Sequence, residues 1–104
     1  VNYGIGLCKY TGAGGKSGAS DASAEVVGKL RRLLNEENIF WQMAELGNTY
    51  AGGGGTVAKY MAKRNIDTID AGVPVLSMHA PYETVGKLDC YMTYRCMKAA
   101  FEKA

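Results

Sequence analysis

His79 is the only histidine of the chain, and it follows the apolar stretch Val75 to Met78 at the entrance to a proline-containing turn. An imidazole there offers one nitrogen to a zinc ion while its second nitrogen needs an acceptor behind it. The place also matters, because open α/β sheets set their ligands beyond the carboxyl ends of strands. One imidazole does not make a zinc site, so residue type alone favours a turn histidine without function. A second group is the run AGGGGT, Ala51 to Thr56. Successive glycines let backbone come close to a ligand, and the helix start that follows attracts anions. The run is neither a phosphate loop, since no GK[ST] follows, nor a GxGxxG fingerprint, and close packing of a loop explains it equally well.

The stretch TGAGGKSGASDAS, Thr11 to Ser23, sets Lys16, Ser17, Ser20 and Asp21 around flexible backbone. Asp21 there either orients a catalytic group or, more simply, caps a helix. Glu45 ends an apolar strand and is a base or ligand by type, although a strand-end acid is more simply solvated. Glu83 is placed to cap the last helix. Cys8, Cys90 and Cys96 would need His79 as a partner to act as nucleophiles, and small core residues are the simpler reading. Trp41 and the seven tyrosines read as packing rather than as a base-stacking platform.

These groups depend on the elements that hold them. Residues 3 to 10 (YGIGLCKY) read as a strand weakened by two glycines. After the glycine-rich loop, Ser20 or Asp21 caps a helix whose apolar stripe is Val26, Val27, Leu30, Leu33 and Leu34, ended by Asn35 and Asn38. Residues 39 to 46 read as a strand buried on both faces. A second helix runs from Thr56 to Arg64, with Val57, Ala58, Tyr60 and Met61 on its apolar side. Residues 66 to 72 form a third strand, 75 to 78 a short further one, and 79 to 83 a turn. The last helix spans Thr84 to Lys103, with Leu88, Tyr91, Met92, Cys96, Ala99 and Ala100 on one side. The order β-α-β-α-β-α predicts an α/β fold with a mostly parallel sheet flanked by helices.

At 104 residues the chain is one domain, and 47% apolar with 21% charged residues is the composition of an ordered globular protein. No apolar run approaches the length of a membrane span. A net charge of +2 on scattered basic residues argues against a dedicated nucleic-acid binder. Three cysteines without tight spacing predict reduced thiols and a cytoplasmic protein. The first residue is Val1, inside a strand pattern, so part of something longer or a processed product is expected.

The segments GGGGTVAKYMAKRNIDTIDAGVPVLSMHAPYE and GKSGASDASAEVVGKLRRLL together resemble the aminopeptidase I and aspartyl aminopeptidase family, cytosolic or vacuolar dizinc metallopeptidases. The pairing of the glycine run with the histidine motif also resembles the glutamyl and deblocking aminopeptidases of the same broader clan. The resemblance covers nearly the whole chain, in order. It implies the last part of a catalytic domain of the zinc-peptidase, phosphorylase/hydrolase-like fold. It implies that His79 is the last zinc ligand and that Met78 lies beside the substrate's first side chain. Gly53, Gly54, Gly55 and Thr56 would wall the substrate cleft with backbone, and Lys9, Lys16 and the loop from Gly18 to Asp21 would approach from another side. Ser17 and Gly18 stand where aspartyl aminopeptidases carry a tyrosine, which favours the broader aminopeptidase I branch. The family's other metal ligands and its general base lie upstream of the matched region.

The implied function is zinc-dependent release of N-terminal amino acids from peptides, with two ions in the complete enzyme and homo-oligomers as partners. This chain on its own is expected to be inactive. The alternative is a non-catalytic α/β binding or assembly module. A small thiol enzyme using one of the cysteines with His79 is a third reading.

Overall fold

The computed structural model describes residues 1–11, 20–44 and 56–103. The elements are β1 (Ile5–Cys8), β2 (Tyr10–Thr11), β3 (Ser20–Asp21), α1 (Ala24–Glu36), β4 (Trp41–Met43), α2 (Ala58–Lys63), β5 (Asp70–Gly72), β6 (Val75–Leu76), β7 (Thr84–Val85) and α3 (Lys87–Lys103). They form a mixed α/β arrangement. One sheet has the order β4-β1-β5, and β2 with β3 and β6 with β7 form two-stranded ribbons. Ile5 N–H donates to the Phe40 carbonyl at 3.1 Å and Ala44 N–H to the Leu7 carbonyl at 2.9 Å. The bonds advance in one direction along both strands, as in a parallel pair. No helix among the described residues is long and apolar enough to cross a membrane.

The chain divides into two compact units. The first comprises Val1–Gly6, Leu30–Gln42 and Ala71–Ala104. Its core holds Ile5, Leu34, Ile39, Met92, Cys96 and Ala99. The carboxylate of Asp89, fully buried, accepts the N–H groups of Asn2 at 2.7 Å and Gly4 at 2.8 Å. Gly4 has φ +105, and a Cβ there would stand 2.1 Å from the Phe40 carbonyl oxygen, so only glycine fits. Arg95 donates to the carbonyls of Glu37 (2.6 Å) and Asn38 (3.3 Å), satisfying groups that the end of α1 leaves open.

The second unit comprises Leu7–Lys29 and Met43–Asp70. Among its described residues, Leu7, Cys8, Ala22 and Val27 are buried and apolar. The ribbon pairs Tyr10 with Asp21 and Thr11 with Ser20, antiparallel, and Ala22 N–H extends it to the Lys9 carbonyl at 2.8 Å.

Both α1 and α2 end on asparagine. Asn38 (φ 55) and Asn65 (φ 60) adopt the left-handed conformation. Ile39 N–H then reaches the Leu34 carbonyl and Ile66 N–H the Met61 carbonyl, at 2.9 and 3.2 Å. This pattern closes a helix when a small polar residue tolerates positive φ.

Several expectations need correction. The cap of α1 is Ser23, whose Oγ accepts Val26 N–H at 3.3 Å, whereas Ser20 and Asp21 lie in β3. The α1 stripe holds, with Val27 and Leu34 buried and Val26, Leu30 and Leu33 half-buried. Within the strand expected over 39 to 46, β4 takes Trp41–Met43 with Met43 exposed rather than buried, and residues 45 and 46 lie outside the described residues. Helix α2 buries no residue, and Val57, Tyr60 and Met61 are exposed. In α3 the buried side is Asp89, Met92, Cys96 and Ala99, while Tyr91 faces solvent.

Candidate functional site

His79 sits in the connection between β6 and β7, which pair antiparallel with Val75 opposite Val85 and Leu76 opposite Thr84. The loop tightens at once: Ala80 N–H donates to the Ser77 carbonyl at 3.0 Å. Ser77 and His79 both take positive φ, 61° and 70°. Such conformations in non-glycine residues cost about 1 kcal/mol or more each and persist only where the surroundings hold them. Here the Glu83 carboxylate accepts the His79 N–H at 2.5 Å. Glu83 therefore anchors the turn and does not cap α3, as its position before the helix had implied. The turn leaves both His79 and Met78 exposed.

Among the described residues, no group of three or more histidine, cysteine, aspartate or glutamate side chains is placed to hold a metal. His79 fits as a single donor on an accessible, backbone-anchored turn.

The other expected site residues fall in the second unit or outside the described residues. Thr56 is half-buried, and its Oγ1 accepts Ala58 N–H at 3.2 Å at the start of α2. Lys16, Gly18, Glu45, Gly53, Gly54 and Gly55 lie outside the described residues. Lys9 is described, and its ammonium is paired with the Asp21 carboxylate at 2.5 Å and lies 4.4 Å from the centre of the Tyr10 ring. The hydrogen bond to Asp21 holds the Lys9 pKa above its ordinary 10.5. An open depression of about 300 Å³ is lined by Lys9, Tyr10, Met43 and Ala44.

Sequence reasoning missed the Lys9–Asp21 pair and the burial of Asp89. The signal for the pair was present, since opposite charges flank a glycine-rich loop that a two-stranded ribbon can close. The expectation that all three cysteines are core residues holds for Cys8 and Cys96, whereas Cys90 is exposed. Trp41 is half-buried and engaged in packing, with Nε1 donating to Asn35 Oδ1 at 2.8 Å and the Arg31 guanidinium 4.8 Å from its ring.

Comparison with known proteins adds what the geometry of one turn cannot. Residues 1–101 match the family model described as aminopeptidase I zinc metalloprotease (M18). The chain is 53% identical over 103 residues to a "Probable M18 family aminopeptidase 1" of Borreliella afzelii (strain PKo), covering 99% of this chain and 22% of that relative. The similarly named protein of Thermotoga maritima is 47% identical over 103 residues, covering 99% and 23%. The crystal structure of an M18 family aminopeptidase from Thermotoga maritima superposes with a TM-score of 0.90 at 47% identity, over 98% of this chain and 23% of that one. The aminopeptidase I structure from Clostridium acetobutylicum gives 0.84 at 48% identity, over 92% and 21%. The chain thus spans 22% of the length of the first of these relatives.

Proposed function

Because the chain belongs to the aminopeptidase I zinc metalloprotease family, we propose that it acts as part of an enzyme that uses two zinc ions to release N-terminal residues from peptides. The observation that carries the reading is the His79 turn. A non-glycine residue held at φ 70 with its N–H tied to Glu83 is strain kept in place at an exposed position. Strain of that kind gathers where a side chain must be aimed.

In this reading His79 is one zinc ligand, and Glu83 fixes the turn from which its imidazole projects. Zinc, when bound, acidifies a water to a pKa of about 7 and polarises a carbonyl oxygen. Met78, next to His79 and exposed, lies beside the first side chain of the substrate. Thr56 with Gly53, Gly54 and Gly55 forms a backbone wall of the cleft, and Lys9, Lys16 and Gly18 approach the substrate from another side. The remaining ligands and the general base come from the rest of the enzyme, so this chain alone hydrolyses nothing. The parallel run of the β1 and β4 hydrogen bonds supports a place in a mostly parallel, helix-flanked sheet. Exposed Tyr94, Met97 and Phe101 on α3 support assembly with further protein surface, including homo-oligomers. Three cysteines without a disulfide support a cytoplasmic setting.

The experiment places this chain in the enzyme that needs it. A chimaera in which it replaces the matching segment of the Thermotoga maritima relative is expected to release N-terminal residues in a chelator-sensitive way. The chimaera with Glu83→Ala is expected to lose at least about tenfold in rate, because a loosened turn misplaces the ligand. Full activity of the Glu83→Ala chimaera would remove Glu83 from the site.

A further inference from the structure

The ribbon that carries His79 is not held by burial. Residues 76 to 85 are all exposed, so none of them is seated in the core. What aims the turn is the attachment of the ribbon at its two ends. At one end Val73 and Pro74 join β6 to β5, which lies beside β1 in the sheet. At the other end β7 runs directly into Gly86, which is buried. The Gly86 carbonyl accepts Cys90 N–H at 3.1 Å, so Gly86 already belongs to the first turn of α3. No residue is left between ribbon and helix to absorb a change of direction.

Gly86 is seated by Asp89 and by the segment that leads into β1. A Cβ there would press on the Asn2 side-chain oxygen and stand 2.9 Å from Asp89 Oδ2. That Asp89 oxygen accepts Asn2 N–H at 2.7 Å, while Oδ1 accepts Gly4 N–H at 2.8 Å. Asn2 and Gly4 both take positive φ, 70° and 105°. An asparagine persists in that conformation where its surroundings hold it, and here the holder is a fully buried carboxylate. No other charged residue is buried among the described residues. A buried charge is costly unless its oxygens are engaged, and both are engaged by backbone of the segment on which Gly86 rests. The two ends of the His79 ribbon therefore share one support, residues 2 to 8.

We propose that Asp89 is a positioning residue for His79. By tying Asn2 and Gly4 to the first turn of α3 it fixes Gly86, and Gly86 fixes the leg of the ribbon from which Glu83 holds the His79 turn. Asp89 acts through the backbone and not on the reacting atoms. The inference rests on the zinc-ligand reading of His79 for its consequence in the enzyme. The aim of the turn itself is measurable on the chain without metal.

Asp89→Asn keeps the side-chain shape but leaves one acceptor for two donors and turns an N–H group toward the other. The test follows amide hydrogen exchange of His79 and Ala80 in the 104-residue chain, below the melting range of each variant. These are the N–H groups bonded to Glu83 and to the Ser77 carbonyl. Asp89→Asn is expected to speed both about tenfold, the worth of one hydrogen bond to a charged acceptor. Met92→Ala empties a buried position further along α3 and leaves the anchor intact. It lowers stability, yet it is expected to leave exchange at His79 and Ala80 within about twofold, because the local opening is unchanged. Should Asp89→Asn not fold, Asn2→Gly serves. Glycine suits φ 70 and keeps the N–H, but it removes the side chain against which Gly86 rests. It is expected to speed both amides at least about threefold. A rise below about threefold in the variant measured, or an equal rise in Met92→Ala, overturns the proposal. In the chimaera with the Thermotoga maritima relative, Asp89→Asn is expected to weaken zinc binding about tenfold. Faster exchange with unchanged zinc binding would leave the anchor standing and overturn the zinc-ligand reading of His79 instead.

Discussion

Gly4 and Asp89 are 85 positions apart in the chain and 2.8 Å apart in the structure, joined by a backbone N–H and a fully buried carboxylate oxygen. The second oxygen of Asp89 takes Asn2 N–H, so the first turn of α3 fastens the segment that leads into β1. Hydrogen bonds to a charged acceptor contribute more than neutral ones, and deleting the acceptor strands two donors. Asp89→Ala is therefore expected to cost about 3 kcal/mol, read by urea unfolding of the chain. A loss below about 1 kcal/mol would mean that water replaces the carboxylate.

Two glycines make a paired prediction. Gly4→Ala places a methyl group against the Phe40 carbonyl at a positive φ, and it should destabilise the chain by about 3 kcal/mol or prevent folding. Gly28 lies inside α1 with nothing within 4 Å of an added Cβ. Gly28→Ala should stabilise by about 0.5–1 kcal/mol through helix propensity. Thermal melts of both variants check the contrast, and equal effects would contradict it.

The cysteines should separate by reactivity. Cys90 is exposed, while Cys96 is buried and its burial holds the thiol pKa above the ordinary 9.0. An alkylating agent at neutral pH should label Cys90 first and leave Cys96 largely unmodified in the folded chain, as peptide mass mapping would show. The same shift carries a pH sign. A folded-state pKa above the unfolded value favours folding below about pH 9 and loses that contribution as pH rises through the folded value. Labelling of Cys96 as fast as Cys90 would show that α3 opens on the labelling timescale.

The lysine pairs point the same way at higher pH. Hydrogen bonds to Asp21 and Glu37 raise the pKa values of Lys9 and Lys103 above 10.5. Their contribution to stability is present below that value and fades as pH climbs through the folded-state values. Both pairs are solvent-screened, so Lys103→Gln should change the melting temperature little at neutral pH. A large loss would show that the pair closes more of the end of α3 than its exposure implies.

Much of this was legible in the sequence where one period dominates. The stripe Val26, Val27, Leu30, Leu33 and Leu34 set α1 with the right face inward, because a helix face must recur at that spacing. The closing asparagine at Asn38 was legible for the same local reason. Strand extents were not. Tyr3 to Tyr10 contains both β1 and the start of β2, and apolar runs do not reveal where pairing ends. Asp89 was invisible because its partners are backbone groups at the far end of the chain. The turn that carries His79 was readable, and the family resemblance was readable from two motifs. The left-handed backbone of His79 and the role of Glu83 were not, since both arise from how the β6/β7 ribbon closes.

The most direct test of the account is zinc content by plasma mass spectrometry in the chimaeric enzyme, measured with His79 intact and as His79→Ala. The account predicts bound zinc and peptide hydrolysis in the first, with loss of metal and of activity together in the second. Equal zinc and equal activity in both would contradict the assignment of His79 as a ligand.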